Sequence, residues 1–258
     1  MNNPKINSRL RNLIRKSQFD ASFPYQLAML FLNPFFFVRR NLYRKISKYA
    51  GHLHGKLLDA GCGCKPYRKL FDHCSGYIGM DIENPGHSHE MEDIDVYYDG
   101  LHFPFEDESF DSVFSSEVFE HAQHLDQIIQ EINRVLRAGG KLLVSVPFVW
   151  NEHELPYDYR RYTSCGIKKL LESHGFQVMK MSKSTGYVEM IFQLWMEYVR
   201  SATQEKKRCY QIAAHILLIV PAAVAGAALA GLLPENDSLY GDTVVLCRKR
   251  KQSVKEQE

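Results

Sequence analysis

The chain has 258 residues, a formal net charge of +2 and 45% hydrophobic residues, which is enough apolar content for the core of one α/β domain with additions. A net charge this close to zero excludes a strong electrostatic attraction to nucleic acid, so we expect no nucleic-acid partner. The six cysteines include no Cys-x-x-Cys pair, which favours reduced thiols in a cytoplasmic protein over a disulfide framework or a zinc site.

Residues 1–50 are predicted to be an N-terminal arm followed by an apolar and basic helical segment. Residues 1–20 are polar and basic, so no signal peptide is expected there. Residues 23–38 are strongly apolar, but Pro24 and Pro34 interrupt them. This apolar stretch is too short and too broken to span a bilayer.

Residues 51–186 are predicted to be the core domain, which begins with a short strand and a glycine turn. The strand ends in Asp59-Ala60, and Gly61 and Gly63 follow it. Glycine is the residue type for backbone that turns sharply or lets a ligand approach closely. The pattern therefore predicts a tight turn under a bound ligand, with a carboxylate beside it.

A second apolar run, residues 76–82, lies about twenty residues beyond the glycine turn and contains Asp81. An acid at the end of a second strand at this distance is placed to accept hydrogen bonds from ribose hydroxyls. A dinucleotide fingerprint would also need a small residue at the position of Pro66. A nucleotide-dependent oxidoreductase is therefore disfavoured.

Strands then alternate with helices, which predicts a parallel sheet. The amphipathic helix over residues 125–137 has the clearest pattern, and Gly139-Gly140 is predicted to end it. We predict an α/β fold of the Rossmann-like kind: a mainly parallel, seven-stranded sheet with helices on both faces, an N-terminal helical segment, and an apolar helical insertion before the last strand. The further predicted strands are residues 94–98, 110–116, 141–147, 176–181 and 242–247.

The insertion is assigned to residues 187–240, and residues 241–258 to the last strand and a charged tail. Residues 212–233 are apolar except for His215, with Pro221 in the middle. Because proline lacks the amide that an unbroken helix uses, we predict two short helices folded as a hairpin at Pro221. We expect the hairpin to make a peripheral membrane contact, with a lid over the acceptor pocket as the alternative.

Five short strings, in their order and spacing, resemble those of class I S-adenosylmethionine-dependent methyltransferases, specifically the small-molecule and quinone-type group. They are residues 58–63, 99–105, 110–113, 116–121 and 134–143. The resemblance says little about the two apolar segments, where substrate specificity would usually lie.

The resemblance implies S-adenosylmethionine as the cofactor. It places Asp59, Gly61 and Gly63 around the methionine moiety of the cofactor, and Asp81 at its ribose hydroxyls. Because the carboxyl ends of parallel strands border the crevice in which open α/β sheets bind ligands, the positions of these acids agree with this assignment.

The resemblance also assigns the two ends of the cofactor. Asp99, followed by Gly100, would accept a hydrogen bond from the adenine amino group, and the backbone near Glu117 would meet the amino-acid end. The alternative for Asp99 is a turn-capping aspartate before Gly100.

Two places could supply a general base, which methyl transfer can use but does not require. The first is the string Glu117-x-x-Glu120-His121, and the second is the loop of residues 150–162 after the fifth strand. His153 and His121 are the candidate catalytic residues, since a neutral imidazole accepts a proton near pH 7.

The candidate substrate contacts all lie in the same loop, and two of them are arginines that could grip a phosphate or carboxylate. The alternative is a surface loop with an internal Arg–acid pair. We expect no metal site; the Glu-x-x-Glu-His string is associated with a divalent metal in the quinone-type relatives, and here we interpret it as bracing the helix. The candidate substrate contacts are Glu154, Tyr157, Arg160 and Arg161.

The sequence thus favours an enzyme that transfers a methyl group from S-adenosylmethionine to a small or lipid- or glycan-linked acceptor. The acceptor class is inferred from the aromatic and apolar flanking segments. The alternative is a non-catalytic, Rossmann-like binding module recruited to a membrane or to a protein partner.

Overall fold

The computed structural model describes residues 23–82 and 93–251. The predicted basic arm, residues 1–20, lies outside the described residues. The described chain forms two compact units. The sheet unit consists of Lys45–Lys183 and the chain from Asp242 onward, and the helical unit joins the described residues up to Arg44 with Ser184–Gly241. The four-part division that we predicted from the sequence stays a prediction.

The sheet unit is built on seven strands: β1 Lys56–Ala60, β2 Gly76–Ile82, β3 Val96–Tyr98, β4 Phe110–Ser116, β5 Leu136–Pro147, β6 Phe176–Lys183 and β7 Asp242–Lys249. Their order in the sheet is β3-β2-β1-β4-β5-β7-β6. Strands β1 to β5 are parallel, whereas β7 pairs antiparallel with both β5 and β6. The predicted fold, a mainly parallel sheet with helices on both faces, is confirmed.

The α-helices of the described chain are α1 Phe23–Leu32, α2 Phe36–Ala50, α3 Leu125–Val135, α4 Ser164–Ser173, α5 Tyr187–Thr203, α6 Arg208–Ala214 and α7 Val220–Leu232. A single 3₁₀ turn, Arg68–Phe71, follows the glycine turn after β1. Thr163 caps helix α4, because its hydroxyl accepts a hydrogen bond from the amide of Gly166 at 3.0 Å.

Helix α3 shows how the sequence builds the core of the sheet unit. Its apolar residues recur with the helical period and face inward, where they pack against β4 and β5. Burying five such side chains gives the sheet its main apolar partner on that face. The buried residues are Leu125, Ile128, Ile129, Ile132 and Val135.

The end of α3 differs from the prediction. The helix ends at Val135 and β5 already begins at Leu136, so Gly139 and Gly140 lie within the strand. Gly139 has φ +80°, and a Cβ on Gly140 would lie 2.9 Å from the carbonyl oxygen of Arg137. The two glycines therefore form an irregular turn inside β5 rather than a helix stop, because only glycine fits this backbone path.

The insertion in the helical unit contains one long helix rather than the hairpin that we predicted at Pro221. Helix α6, a π-helical turn over His215–Ile219 and α7 run on as one helix of 25 residues, Arg208–Leu232. Pro221 lies in the first turn of α7, where its missing amide is tolerated, and the amide of Val220 donates back to the carbonyl of His215. The chain reverses instead at residues 204–207, so α5 and the long helix pack side by side.

The helical unit has its own apolar core between α1, α2, α5 and the long helix. Gly226 permits close packing, since a Cβ there would lie 2.8 Å from Phe192 and 2.9 Å from Phe37. Gly231, by contrast, has nothing within 4 Å of its Cβ position. The buried residues are Met29, Phe36, Phe37, Met196, Val199, Ile219, Ala222 and Ala223.

Candidate active site

The turn after β1 is held tightly against β2. The amides of Gly61 and Cys62 both donate to the carbonyl oxygen of Met80, at 2.8 and 3.1 Å. Gly61 has φ +79°, and a Cβ there would lie 2.3 Å from a methyl group of Val118. Gly63 has φ +47° but nothing within 4 Å of its Cβ position. The first glycine is therefore required by packing, and the second exposes backbone to open space where a ligand can approach.

Asp81 joins the glycine turn to the end of β2, and its predicted contact with the ribose hydroxyls stays a prediction. One of its carboxylate oxygens accepts the amide of Gly63 at 2.7 Å, and the other accepts the amide of Ile82 at 2.8 Å. Each carboxylate oxygen has a second lone pair. The arrangement places an acceptor for hydroxyl groups beside the open face of the turn.

Asp59 lies beneath this turn, 2% exposed, and accepts a hydrogen bond from the Tyr77 hydroxyl. Burial raises the pKa of Asp59 to about 7, and the negative charge of Asp81 adds to the rise, while the Tyr77 hydrogen bond opposes it. A cationic ligand group nearby would stabilise the ionised form. The role of Tyr77 was missed in the sequence, because only the pairing of β1 with β2 brings it to Asp59.

Lys65 is a second residue that the sequence analysis missed. Its side chain is buried, and its ammonium group forms ion pairs with Asp95 at 2.9 Å and Asp93 at 3.3 Å. It passes over Gly79, where a Cβ would lie 2.3 Å from the lysine Cε. Lys65 therefore ties the glycine turn to the chain that leads into β3.

Asp99 caps the turn after β3. One carboxylate oxygen accepts the amides of Leu101 and His102, at 2.8 and 2.7 Å. These hydrogen bonds lower the pKa of Asp99 to about 2. The structure thus has the turn-capping arrangement that was our alternative, and the adenine contact, with Gly100 at φ +82° beside it, stays a prediction.

Glu117 follows β4 with φ +56°, a conformation that is uncommon for a residue with a side chain. Its amide donates to the carbonyl of Ser145 at 3.1 Å, and its carboxylate accepts the Ser145 hydroxyl at 2.6 Å. Burial raises the pKa of Glu117, and the nearby carboxylates of Asp242 and Glu120 raise it further. The strained backbone is held in place by both contacts with β5.

Glu120 is fully buried, and within the described part of the chain neither of its carboxylate oxygens has a hydrogen-bond partner. Burial raises the pKa of Glu120 to about 8. The imidazole of His121 lies beside it, with Nε2 3.7 Å from a carboxylate oxygen, and the charge of Arg161 partly opposes the rise in the pKa. An unpaired carboxyl group in this position destabilises the folded protein once it ionises.

We therefore predict that Glu120→Gln changes the pH dependence of stability. The carboxyl pKa rises from 4.5 to about 8 on folding, so the folded protein binds more protons than the unfolded chain between these values. The Glu120 carboxyl group therefore makes the wild-type protein less stable as the pH rises from 4.5 to about 8. The glutamine variant has no such group and should not lose this stability. At pH 9 the variant should be more stable than the wild type by about 1–3 kcal/mol.

Thermal unfolding of both proteins from pH 5 to pH 9 measures the difference. Glu106→Gln, at an exposed position, is the matched control and should follow the wild type. Parallel curves for wild type and Glu120→Gln would show that Glu120 does not carry this proton.

The structure brings His121 and His153 together, although 32 positions separate them in the printed sequence. Their rings meet edge to face with centroids 4.7 Å apart. The Nδ1 atom of His121 lies 3.0 Å from the carbonyl oxygen of Tyr157. The Nδ1 atom of His153 lies 3.2 Å from the carbonyl oxygen of Asn151 and 3.3 Å from a carboxylate oxygen of Asp158. The two candidate bases thus lie side by side beyond β4 and β5.

The donor atoms of Glu120, His121 and His153 lie within 4.8 Å of one another, so among the residues that the structure describes this group has the spacing to hold a metal ion. Glu117, which the sequence string would include, is bonded to Ser145 instead. The expectation of no metal stays a prediction.

The two arginines of the loop after β5 are bonded to their own chain. Arg161 forms a bidentate pair with Asp158, at 2.5 and 2.6 Å, and Arg160 donates to the carbonyl oxygens of Ala122 and Gln123. The internal Arg–acid pair, our alternative, is what the structure contains, and a substrate contact by either arginine stays a prediction.

The other two candidate substrate contacts lie at the rim of the histidine pair. A carboxylate oxygen of Glu154 is 3.7 Å from Nε2 of His121, and the Tyr157 side chain is 44% exposed. Both side chains can therefore be reached from solvent, which a substrate contact requires.

Residues 58–144 match the family described as "Methyltransferase domain". Among curated relatives, the chain is 32% identical over 116 residues to "Methyltransferase GfsG" of Streptomyces halstedii, a match that covers 40% of this chain and 41% of that protein. It is 31% identical over 112 residues to "Phthiotriol/phenolphthiotriol dimycocerosates methyltransferase 1" of Mycobacterium ulcerans, with the same coverage of both chains. The chain therefore spans less than half of the length of these relatives.

A solved structure, "Crystal Structure of the [4+2]-Cyclase SpnF", superposes with a TM-score of 0.53 at 18% identity, and covers 81% of this chain and 82% of that one. At this identity the likeness shows the fold alone. This neighbour is named as a cyclase, and one fold can support different chemistries.

Proposed function

We propose that the protein is a class I S-adenosylmethionine-dependent methyltransferase that transfers a methyl group from S-adenosylmethionine to a small or lipid- or glycan-linked acceptor, and the match of residues 58–144 to the family described as "Methyltransferase domain" supports this. The observation that carries the proposal is the open glycine turn beside Asp81. A Cβ on Gly63 would meet nothing within 4 Å, and the Gly63 amide binds Asp81 at 2.7 Å. This is a cradle with a hydroxyl acceptor at one side, which fits a nucleoside ligand.

Each of these positions in the cradle would have one role toward the cofactor. Asp81 would accept hydrogen bonds from the ribose hydroxyls, and Asp99 would accept from the adenine amino group. Asp59 would balance the positive charge at the methionine end, where burial holds its pKa at about 7 in the ligand-free protein. The backbone at Gly61 and Glu117 would line that same end.

The bound cofactor supplies a methyl group activated by a positively charged sulfur. The protein has to hold the acceptor atom in line with that methyl group and exclude water, which by itself contributes much of the rate. His153 or His121 would take the proton that the acceptor loses. Glu154 and Tyr157, at the rim, would contact the acceptor.

The lipid-linked part of the proposal is supported by the name of one relative, a phthiotriol/phenolphthiotriol dimycocerosates methyltransferase. Support also comes from the amount of apolar surface in the helical unit. The phosphate grip that the sequence suggested is not part of the proposal, because Arg160 and Arg161 are bonded within the chain.

Calorimetric titration with S-adenosylmethionine and, separately, with NAD tests the cofactor. Binding of S-adenosylmethionine alone supports the proposal, and binding of NAD alone overturns it. Incubation with cell extract and S-adenosylmethionine, followed by untargeted mass spectrometry, then identifies a methylated product. Cofactor binding without any product would favour the alternative, a non-catalytic binding module.

We further propose a peripheral membrane contact by the long helix of the helical unit. Arg208–Leu232 is long and apolar enough to cross a membrane by length and composition, with a mean hydropathy of 2.3, and only 22% of its most apolar window is buried. Its exposed apolar residues, which we call the apolar face, include Ile212, Ile216, Leu217, Leu218, Val224, Leu229 and Leu232. A water-facing helix would carry polar residues there.

Charge at the start of this helix supports the same contact. Lys206, Lys207 and Arg208 are all exposed, and basic residues beside an apolar helix face favour anionic lipid surfaces. An exposed apolar area of this extent marks an interaction site in a folded protein. A lid over the acceptor pocket is the alternative use of the helix.

Liposome flotation distinguishes the peripheral membrane contact from the lid. The intact protein should float with vesicles of phosphatidylcholine and phosphatidylglycerol, and Leu217→Glu with Leu218→Glu should abolish flotation, because two charges would have to enter the apolar layer. Met179→Glu with Met181→Glu, two exposed positions on β6, is the matched control and should still float. A wild-type protein that stays in the soluble fraction, with no effect of the leucine substitutions, rules out the membrane contact and leaves the lid.

A further inference from the structure

The loop of residues 151–158 controls where both candidate bases carry their protons. A carbonyl oxygen and an ionised carboxylate can only accept a hydrogen bond, so a ring nitrogen that contacts them must carry the hydrogen. The Nδ1 atom of His121 faces the carbonyl of Tyr157 at 3.0 Å. The Nδ1 atom of His153 faces two such acceptors, the carbonyl of Asn151 at 3.2 Å and the carboxylate of Asp158 at 3.3 Å. In each neutral ring the lone pair is then on Nε2.

The surroundings of the two Nε2 atoms differ, and this difference favours His153 over His121 as the general base. Nε2 of His121 lies 3.7 Å from carboxylate oxygens of both Glu120 and Glu154. Both carboxyl groups are therefore neighbours of the ring nitrogen of His121 that carries the lone pair. Among the described residues, Nε2 of His153 has no hydrogen-bond partner, and its side chain is 34% exposed. His153 can therefore face an acceptor molecule, and His121 faces its own chain.

Asp158 is positioned to keep the hydrogen of the His153 ring on Nδ1. Its side chain is 1% exposed, and one of its oxygens accepts the backbone amide of His153 at 2.9 Å as well as facing the ring nitrogen. Arg161 binds both carboxylate oxygens from the other side. The Arg161 pair lowers the pKa of Asp158 to about 2, so the carboxylate stays ionised and can only accept.

We propose that Asp158 is a positioning residue that fixes His153 in the tautomer with its proton on Nδ1, so that Nε2 is the general base for an acceptor with a hydroxyl or amino group. The inference rests on the proposed methyl transfer. As the acceptor oxygen or nitrogen forms its bond to the methyl carbon, its proton passes to Nε2 of His153. The carbon–sulfur bond breaks with its electron pair going to sulfur, and the imidazolium later releases the proton to water.

This inference narrows the acceptor to molecules that carry a proton on the methylated atom. Asp158 touches neither the acceptor nor the cofactor in this scheme and acts only through His153. It also explains why the Arg–acid pair of this loop points inward: Arg161 keeps Asp158 ionised and in place.

Nitrogen NMR of histidine tautomers tests the inference without any knowledge of the acceptor. In protein labelled with ¹⁵N-histidine, long-range proton–nitrogen spectra at pH 8 distinguish the two tautomers, and His153→Gln identifies the His153 signals by their loss. The wild type should show His153 with the hydrogen on Nδ1. A wild-type His153 ring with the hydrogen on Nε2 overturns the proposal, and this outcome does not depend on the folding of any Asp158 variant.

The variant Asp158→Ala should then shift His153 toward the Nε2–H tautomer, because one of the two acceptors is lost. The matched control is Asp126→Ala, since Asp126 faces another histidine, His174, at 3.2 Å; it should leave the His153 signals unchanged. If His153 keeps its tautomer in a folded Asp158→Ala protein, Asp158 is not the positioning residue. A protein that shows the expected tautomer but does not bind S-adenosylmethionine would refute the proposed function separately.

Discussion

Replacing His153 by alanine is expected to lower turnover about 10²–10⁴-fold, the usual contribution of a positioned general base, while affinity for S-adenosylmethionine stays the same. The expectation follows from the position of the ring, beyond β4 and β5 and beside His121 at 4.7 Å, with Nδ1 held by the loop. Release of S-adenosylhomocysteine with the identified acceptor measures turnover, and calorimetry measures affinity.

His124→Ala is the matched control for this experiment, because His124 is an exposed histidine three residues beyond His121. It should keep the wild-type rate. A normal rate for His153→Ala with the true acceptor would mean that holding the reactants in line suffices for catalysis, and that His153 is structural.

Asp81→Ala is expected to weaken S-adenosylmethionine binding by about 1.5–3 kcal/mol, the value of a hydrogen bond to a charged group. This corresponds to about a 10- to 150-fold rise in the dissociation constant. Two effects contribute: the ribose hydroxyls lose their acceptor, and the Gly63 amide loses its partner at 2.7 Å.

One further variant, Asp81→Asn, separates these two effects, and a second variant, Asp72→Ala, is the control. Asp81→Asn keeps an acceptor for the Gly63 amide but removes the charge, so it should bind more weakly than wild type and more tightly than the alanine variant. Asp72→Ala, at an exposed position after the 3₁₀ turn, should bind normally. If a folded Asp81→Ala protein binds with unchanged affinity, Asp81 does not belong to the site.

The sequence could predict the strands that hold the glycine turn and Asp81, because these signals are local. The two glycines follow β1 directly, and Asp81 ends the next strand, so neighbouring parallel strands bring them together whatever the rest of the chain does. The buried stripe of α3 is equally local, since it repeats with the period of one helix.

The end of helix α3 and the course of the chain at Pro221 were predicted less well, because both depend on how neighbouring elements pack. Gly139-Gly140 looked like a helix stop, but pairing with β4 draws Leu136 into the sheet and leaves the glycines inside β5. Pro221 looked like the turn of a hairpin. A π-helical turn placed it at the start of α7 instead, where a missing amide costs little.

By itself, then, the sequence determined the order of strands and helices, the glycine turn and the acids at the strand ends, because each depends on residues close together in the chain. Only the tertiary structure decided which acids are buried with raised pKa values and how the two histidines are held. Tyr77 reaches Asp59 through strand pairing, and the loop after β5 folds back so that Asp158 holds His153 beside His121. Such contacts join residues far apart in the chain, and burial then sets their protonation, which no local pattern encodes.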